Sequence, residues 1–227
     1  MNQKENLELQ SMDEFLPILA IETSSRICSV SLYISDNLYS EFTVNQKNIH
    51  SEKLFELINK TLESLEYSFD QIKAIAVSIG PGSFTGLRIG VSAAKGLAFG
   101  RNIPIIPVPT FEALALQISN YLSKSTEFTI CNSVNRDELY KSDFISDGEN
   151  NYKIKNDLEL ISREDFIIED NSKLVFGDYK NKSSLVSIPS SMFIAKWAYL
   201  FGKDLLTFDY DYLEPNYIKK FVARIKQ

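Results

Sequence analysis

Histidine is almost missing: His50 is the only one in 227 residues, so no pair of imidazoles is available to hold a metal. Cysteine is nearly as scarce. Cys28 and Cys131 lie far apart, each in a strand-like run and without a metal-ligand neighbour at useful spacing. They read as small buried hydrophobes in a reducing compartment. A positive excess is absent too. Net charge is −6 and the sequence pI is near 5.0, which argues against a protein that grips RNA phosphates unaided. No apolar run approaches the roughly 20 residues needed to cross a bilayer. Residues 1–15 are polar and acidic, without the apolar stretch of a signal peptide. These absences leave a cytoplasmic protein, with 44% hydrophobic residues to build a core. One stretch breaks the acidic balance. Residues 217–227 hold Lys219, Lys220, Arg224 and Lys226 and no acid, and the plain reading is a solvated chain end.

What is present has α/β periodicity. Residues 16–22 form a short apolar run suited to a buried strand, interrupted by the hydroxyls of Thr23, Ser24 and Ser25. Residues 28–34 alternate, and Asn37 turns the chain into a third strand. Leu54, Phe55, Ile58, Leu62 and Leu65 then recur at helical spacing, with Ser51 as N-cap. Residues 73–79 predict a buried strand running into Gly80-Pro81-Gly82-Ser83-Phe84-Thr85-Gly86 and a helix that ends near Gly100. A strand follows at 103–108 and a helix at 110–119. The second half is more polar, with strands expected at 128–132, 138–145, 152–154 and 173–176. A helix from Pro189 to Phe201 is closed by Gly202.

The loop from Gly80 to Gly86 is the most specific feature. It follows a strand and opens a helix, so first-turn N–H groups face outward at the positive end of the dipole. Such a place suits phosphate or carboxylate. The spacing is neither that of a P-loop nor Gly-x-Gly-x-x-Gly, and a tight turn needing glycine for its dihedrals explains it equally. Along the helix, Gly86, Gly90, Ala94 and Ala98 recur every fourth residue. Ser92, Gly96 and Gly100 do so on a neighbouring face. Small residues at this spacing admit another backbone, from the chain's own sheet or from a partner. His50 alone, before a helix, reads as a surface or capping residue.

Residues 18–32, the His50-Ser51-Glu52-Lys53-Leu54 helix start, 73–100 and 103–115 together resemble the bacterial TsaB family over about residues 16–119. Beyond Ser119 the similarity thins to Glu138-Leu139-Tyr140 and Pro215-Asn216-Tyr217. The resemblance implies an α/β protein of the actin-like, sugar-kinase-like and Hsp70-like fold, with two related lobes. We expect a loose tail at 1–15, an N-terminal lobe at 16–115 and a smaller, degenerate lobe at 116–227. It further implies an accessory subunit in the transfer of threonylcarbamoyl to adenosine 37 of tRNA. The implied partners are a TsaD-type catalytic paralogue, a TsaE-type ATPase and tRNA held by the assembly, with a homodimer when alone. In the paralogue, a His-x-x-x-His pair helps hold the metal, and here Thr110 and Leu114 stand in those places. No catalytic or metal-binding residue is therefore expected. Glu22, Thr23, Ser24, Gly82, Ser83 and Thr85 make a candidate nucleotide or anion loop, and weakly held ATP or ADP with magnesium is the only cofactor implied. Glu22-Thr23 replaces the Asp-Thr common in this fold, and Ser133-Val134-Asn135-Arg136 replaces an Asp-Ala-Arg segment. Leu54, Ile58, Gly86, Gly90, Ala94 and Ala98 are expected at the partner interface. The alternative is an enzyme acting by itself, as a glycoprotease-like metallopeptidase or a threonylcarbamoyltransferase.

Overall fold

Continuous apolar runs build the centre of the first sheet. Strand β1 (Ile18–Glu22) is buried at every position and β4 (Ala74–Gly80) at nearly every one, as strands covered on both faces must be. The computed structural model describes residues 11–46, 49–148, 150–166, 174–179 and 188–216. With β2 (Ile27–Ser35), β3 (Leu38–Asn45) and β5 (Ile105–Pro109) the sheet runs β3-β2-β1-β4-β5. The β1–β2 and β2–β3 pairs are antiparallel, whereas β1–β4 and β4–β5 are parallel. Strands β1 and β4 therefore finish at one end of the sheet, where β2 begins.

Alternation along β1 fills two cores. Leu19 and Ile21 meet α1 (His50–Glu63) and α2 (Phe84–Arg101) through Leu54, Ile58, Ala94 and Ala98. Ile18 and Ala20 point the other way, to α3 (Thr110–Ser119) and α4 (Ser191–Phe201), where Leu116, Ile194 and Trp197 cover them. A second sheet, of β6 (Glu127–Ser133), β7 (Glu138–Gly148), β8 (Asn151–Ser162) and β9 (Leu174–Phe176), has the order β8-β7-β6-β9. Its Phe128, Ile130 and Phe144 pack on Phe111, Leu114 and Ile118 of α3. Helix α3 thus serves both sheets.

Several boundaries differ from the sequence reading. Helix α4, assigned to the second lobe, lies on the first sheet, and Thr207 bridges to Ile105 while Leu213 enters the first core. Long apolar contacts, not chain order, decide this. Helix α1 starts at His50 with Ile49 in the cap position and no side-chain cap, so Ser51 does not cap it. Helix α4 starts at Ser191 rather than Pro189. The tail is held from Ser11 onward. Residues Met12–Phe15 form a 3-10 turn, Phe15 is buried, and the Tyr199 hydroxyl donates to Asp13 at 2.7 Å. Residues 1–10, Lys173 and the basic stretch 217–227 lie outside the described residues.

A polar seam joins the two sheets. The Tyr152 hydroxyl on β8 donates to Glu112 Oε2 on α3 at 2.6 Å and accepts from Trp197 Nε1 on α4 at 2.8 Å. Burial, together with the nearby Glu112 carboxylate, pushes the phenol well above its ordinary range. Tyr152→Phe keeps the ring contacts with Phe144 and Phe201 but orphans both partners. The expected loss is about 1–3 kcal/mol, read as a lower urea midpoint at unchanged slope.

Candidate functional site

The end of the sheet where β1 and β4 finish gathers five of the six predicted loop residues. Gly80 ends β4 at φ 116°, a value that disfavours any side chain. Its N–H donates to Thr110 Oγ1 at 3.1 Å, so Thr110 ties the strand end to the first residue of α3. Ser83 caps α2, accepting from Gly86 N at 3.3 Å. The Ser83 N–H donates to Ser24 O at 2.6 Å. That bond clamps the start of α2 onto the β1–β2 turn. Thr85 is exposed on α2 and takes no part in the clamp.

Two backbones come very close here. A Cβ on Gly82 would stand 2.4 Å from Ser24 O, and one on Gly86 would stand 2.1 Å from Thr23 O. On Gly90 it would meet Thr23 Oγ1 at 2.2 Å. Ala94 and Ala98 continue the same row into the core with no exposure. Here the structure corrects the sequence reading. Leu54, Ile58, Gly86, Gly90, Ala94 and Ala98, expected at a partner interface, face the chain's own sheet instead. The outward row is Ser92, Gly96 and Gly100, and a Cβ added to Gly96 or Gly100 meets nothing within 4 Å. Phe99, 77% exposed, lies beside that row, and Phe55, 54% exposed, lies on the neighbouring α1. Sequence spacing named both rows of small residues. Only the packing tells which is inside.

Glu22 sits beneath the turn with no solvent exposure. Oε1 accepts from the Ser24 N–H, and Oε2 has no protein partner. Burial pushes the carboxyl up to about 7, against the pull of the Ser24 hydroxyl and N–H and of the Ser78 hydroxyl. Those two hydroxyls act through proximity without closing hydrogen bonds of good geometry. Protonated, Oε2 becomes a donor that they can accept. On β2, Cys28 is raised to about 12, chiefly by burial and then by Glu22.

A magnesium–nucleotide phosphate does not fit this arrangement. The N–H of Ser83 is spent on Ser24 O, the Glu22 carboxyl is sealed and half neutral near pH 7, and Gly82 lies against Ser24. Among the described residues, no group of three or more His, Cys, Asp or Glu side chains is placed to hold a metal ion. His50, read as a surface or capping residue, is buried and bonds through Nε2 to Ile27 O at 3.1 Å, fixing α1 to the start of β2. Leu114, at the second implied histidine position, is fully buried between the sheets. A concavity of about 400 Å³ on the second sheet is lined by Lys141, Asp143, Lys155 and Glu159. Its cations are already paired, Lys141 with Asp143 and Glu159 and Lys155 with Glu127.

Two measurements check this geometry. Gly86→Ala drives a methyl group into the Thr23 carbonyl and is expected to destabilise by about 1–3 kcal/mol or more. Gly96→Ala, on the open row, is expected to stabilise by about 0.5–1 kcal/mol. Equal effects in thermal melts would contradict the assignment of the two rows. The second concerns Glu22. Its carboxyl titrates near 4.5 when unfolded and near 7 when folded. Its contribution is therefore fully present below pH 4.5, declines as pH rises, and is lost above pH 7. At about 1.36 kcal/mol per unit the swing is roughly 3 kcal/mol. Urea unfolding of Glu22→Gln should show a correspondingly flatter pH dependence between 4.5 and 8 than the native chain.

Comparison with known proteins adds the lineage. A family model described as "TsaD: tRNA N6-adenosine threonylcarbamoyltransferase" matches residues 37–159, more than half of the chain. The tRNA threonylcarbamoyladenosine biosynthesis protein TsaB of Haemophilus influenzae is 36% identical over 100 residues, 44% of this chain and 42% of that protein. Its Bacillus subtilis counterpart is 36% identical over 100 residues, 44% of each. The chain spans less than half the length of these curated relatives in the match. YeaZ from Pseudomonas aeruginosa superposes with a TM-score of 0.71 over 88% of this chain and 99% of that one, at 19% identity. That likeness shows the fold, an α/β architecture of the actin-like class. On the family match over more than half its length, the chain belongs to the family that the TsaD model describes, and within it the partial matches at 36% identity make it similar to TsaB proteins.

Proposed function

We propose that the chain acts in the biosynthesis of threonylcarbamoyladenosine on tRNA as a subunit that does no chemistry itself. The observation that carries this reading is the fate of the two implied histidine positions. Thr110 is spent on the Gly80 N–H and Leu114 is packed between the sheets, so neither place is available to a metal. The curated relatives are named for that pathway, and the matching family model is named for the transferase. The chain then supports a TsaD-type paralogue that transfers threonylcarbamoyl to adenosine 37 of tRNAs reading codons that begin with A. A TsaE-type ATPase joins the same assembly, and tRNA is held by the whole. The partner face is the outward side of α1 and α2, where Ser92, Gly96 and Gly100 allow a close helix crossing and Phe55 and Phe99 offer apolar anchors. The same face closes on a second copy when the paralogue is absent.

Reconstitution with each component left out tests the proposal. The pure chain with threonylcarbamoyl-adenylate and unmodified tRNA should yield no modified adenosine after nucleoside digestion, and adding the paralogue should restore it only with this chain present. Modified adenosine made by the chain alone would sink the reading. Ser92→Arg and Gly96→Leu should fold normally by circular dichroism yet bind the paralogue about ten- to a hundredfold more weakly, since forcing apart a close crossing costs ~1–3 kcal/mol.

A further inference from the structure

Buried polar atoms without a partner gather at one place in the first sheet. Glu22 stands opposite Ser29 in the β1–β2 register. Val77 is opposite Ile21 in the β1–β4 register, which brings Ser78 alongside Glu22. The alternation that sends Ile18 and Ala20 to the core under α3 and α4 sends these three side chains to the same face. Ser31, opposite Ala20, continues the strip on β2. Glu22 Oε2 and the hydroxyls of Ser24, Ser29, Ser31 and Ser78 are all buried and close no hydrogen bond. Protein interiors seldom leave such atoms unpaired.

The surroundings of this carboxyl are neutral. What acts on it is the Ser24 N–H with the hydroxyls of Ser24 and Ser78, and the titratable neighbour on β2 is the Cys28 thiol. Strands β4 and β5 carry no charged side chain. Glu112 on α3 accepts from Tyr152, Lys196 on α4 pairs with Asp36, and Glu41 on β3 accepts from Ser191. Arg26 in the turn is exposed, and Arg88 on α2 lies over the Phe84 ring. Among the described residues no cation pairs with Glu22, so only water can stabilise its charge.

The way to water leads through one turn. Glu22 Oε1 accepts from the Ser24 N–H, and Ser24 O accepts from the Ser83 N–H at 2.6 Å. The carboxyl, the turn and the start of α2 are thus linked in series. Ser24 is buried, whereas Ser25 and Arg26 beside it already reach solvent. We infer that Glu22 is a proton-operated latch, which holds the β1–β2 turn closed on the start of α2 when protonated and opens the turn to water when ionised. Opening releases the N–H groups of Ser24 and Ser83. Because burial raises the carboxyl from 4.5 to about 7, closure is favoured in full below pH 4.5. It weakens as pH rises to 7 and changes little above that. The latch acts on the helix that bears the proposed partner face, and it stands whether or not that face binds the paralogue.

Amide hydrogen exchange of the full-length chain, followed by NMR from pH 5 to pH 8 and corrected for intrinsic rates, tests the latch. Protection of the Ser24 and Ser83 N–H groups should fall roughly thirtyfold between pH 5 and pH 7 and level off by pH 8. Low urea should leave their exchange unchanged, as local opening exposes little surface, while Ala76 in the middle of β4 exchanges faster. Glu22→Gln should abolish the pH dependence at both amides. Ser78→Ala removes a hydroxyl that favours the ionised form, so it should raise the carbon-13 titration midpoint of the Glu22 carboxyl. A native midpoint below about 5.5, protection of Ser24 and Ser83 that ignores pH, or a urea dependence equal to that of Ala76 overturns the inference. Should Glu22→Gln unfold, the native titration and exchange decide by themselves.

Discussion

The close approach of α2 to the β1–β2 turn governs the geometry of the first sheet's functional end. A carbonyl of Thr23 lies where any side chain at position 86 would begin, and the Ser83 N–H closes onto Ser24 O at the same place. These contacts set how deeply α2 sinks onto the sheet. Ala94 and Ala98 then reach the core, and Ser92, Gly96 and Gly100 are left facing out. Covering Glu22 follows from the same approach, because the turn that accepts the helix also roofs the carboxyl. Buried without a full set of partners, that carboxyl is pushed up to about 7.

A helix start that follows a strand and a tight turn can offer its free N–H groups to a phosphate. In this chain the same elements are turned on each other. At the helix start the Ser83 N–H is taken by Ser24 O of the β1–β2 turn and the Gly86 N–H by the Ser83 hydroxyl, so these two donors serve the protein itself. Thr110 does likewise for the β4 end. The outcome is a closely packed platform whose outward surface carries the small residues and the exposed Phe55 and Phe99. That division between a closed interior and an open helix face fits a subunit whose work is association.

The second sheet is joined by different means. Helix α3 presents Leu116 to the first core and Phe111, Leu114 and Ile118 to the other, and Tyr152 threads a hydrogen bond through to Glu112 and Trp197. Because α4 returns to the first sheet, the chain between the two passages is gripped at both ends. Relative movement of the sheets would expose Trp197 and break the seam.

The strands at 18–22 and 74–80, the helices at 84–101 and 110–119 and the glycine turn between them are legible in the sequence. Each is set by local chemistry: uninterrupted apolar runs, periodic hydrophobics, and glycine where a turn at positive φ needs it. The two rows of small residues on α2 are equally plain in the sequence, and so is the want of a second histidine. Which row faces inward was not legible, because Gly86 and Gly96 are alike as residues and differ only in what stands opposite them. His50 gave no local sign of burial, since its partner is the carbonyl of Ile27, 23 residues earlier. The return of α4 to the first sheet likewise depends on Ile18 and Ala20 presenting an uncovered apolar face far away in the chain. Local preference and periodicity thus determined the elements and their order. Contact between distant surfaces decided which faces are buried, which carboxyl is raised and which helix side is left exposed, because burial belongs to pairs of surfaces and not to a residue alone.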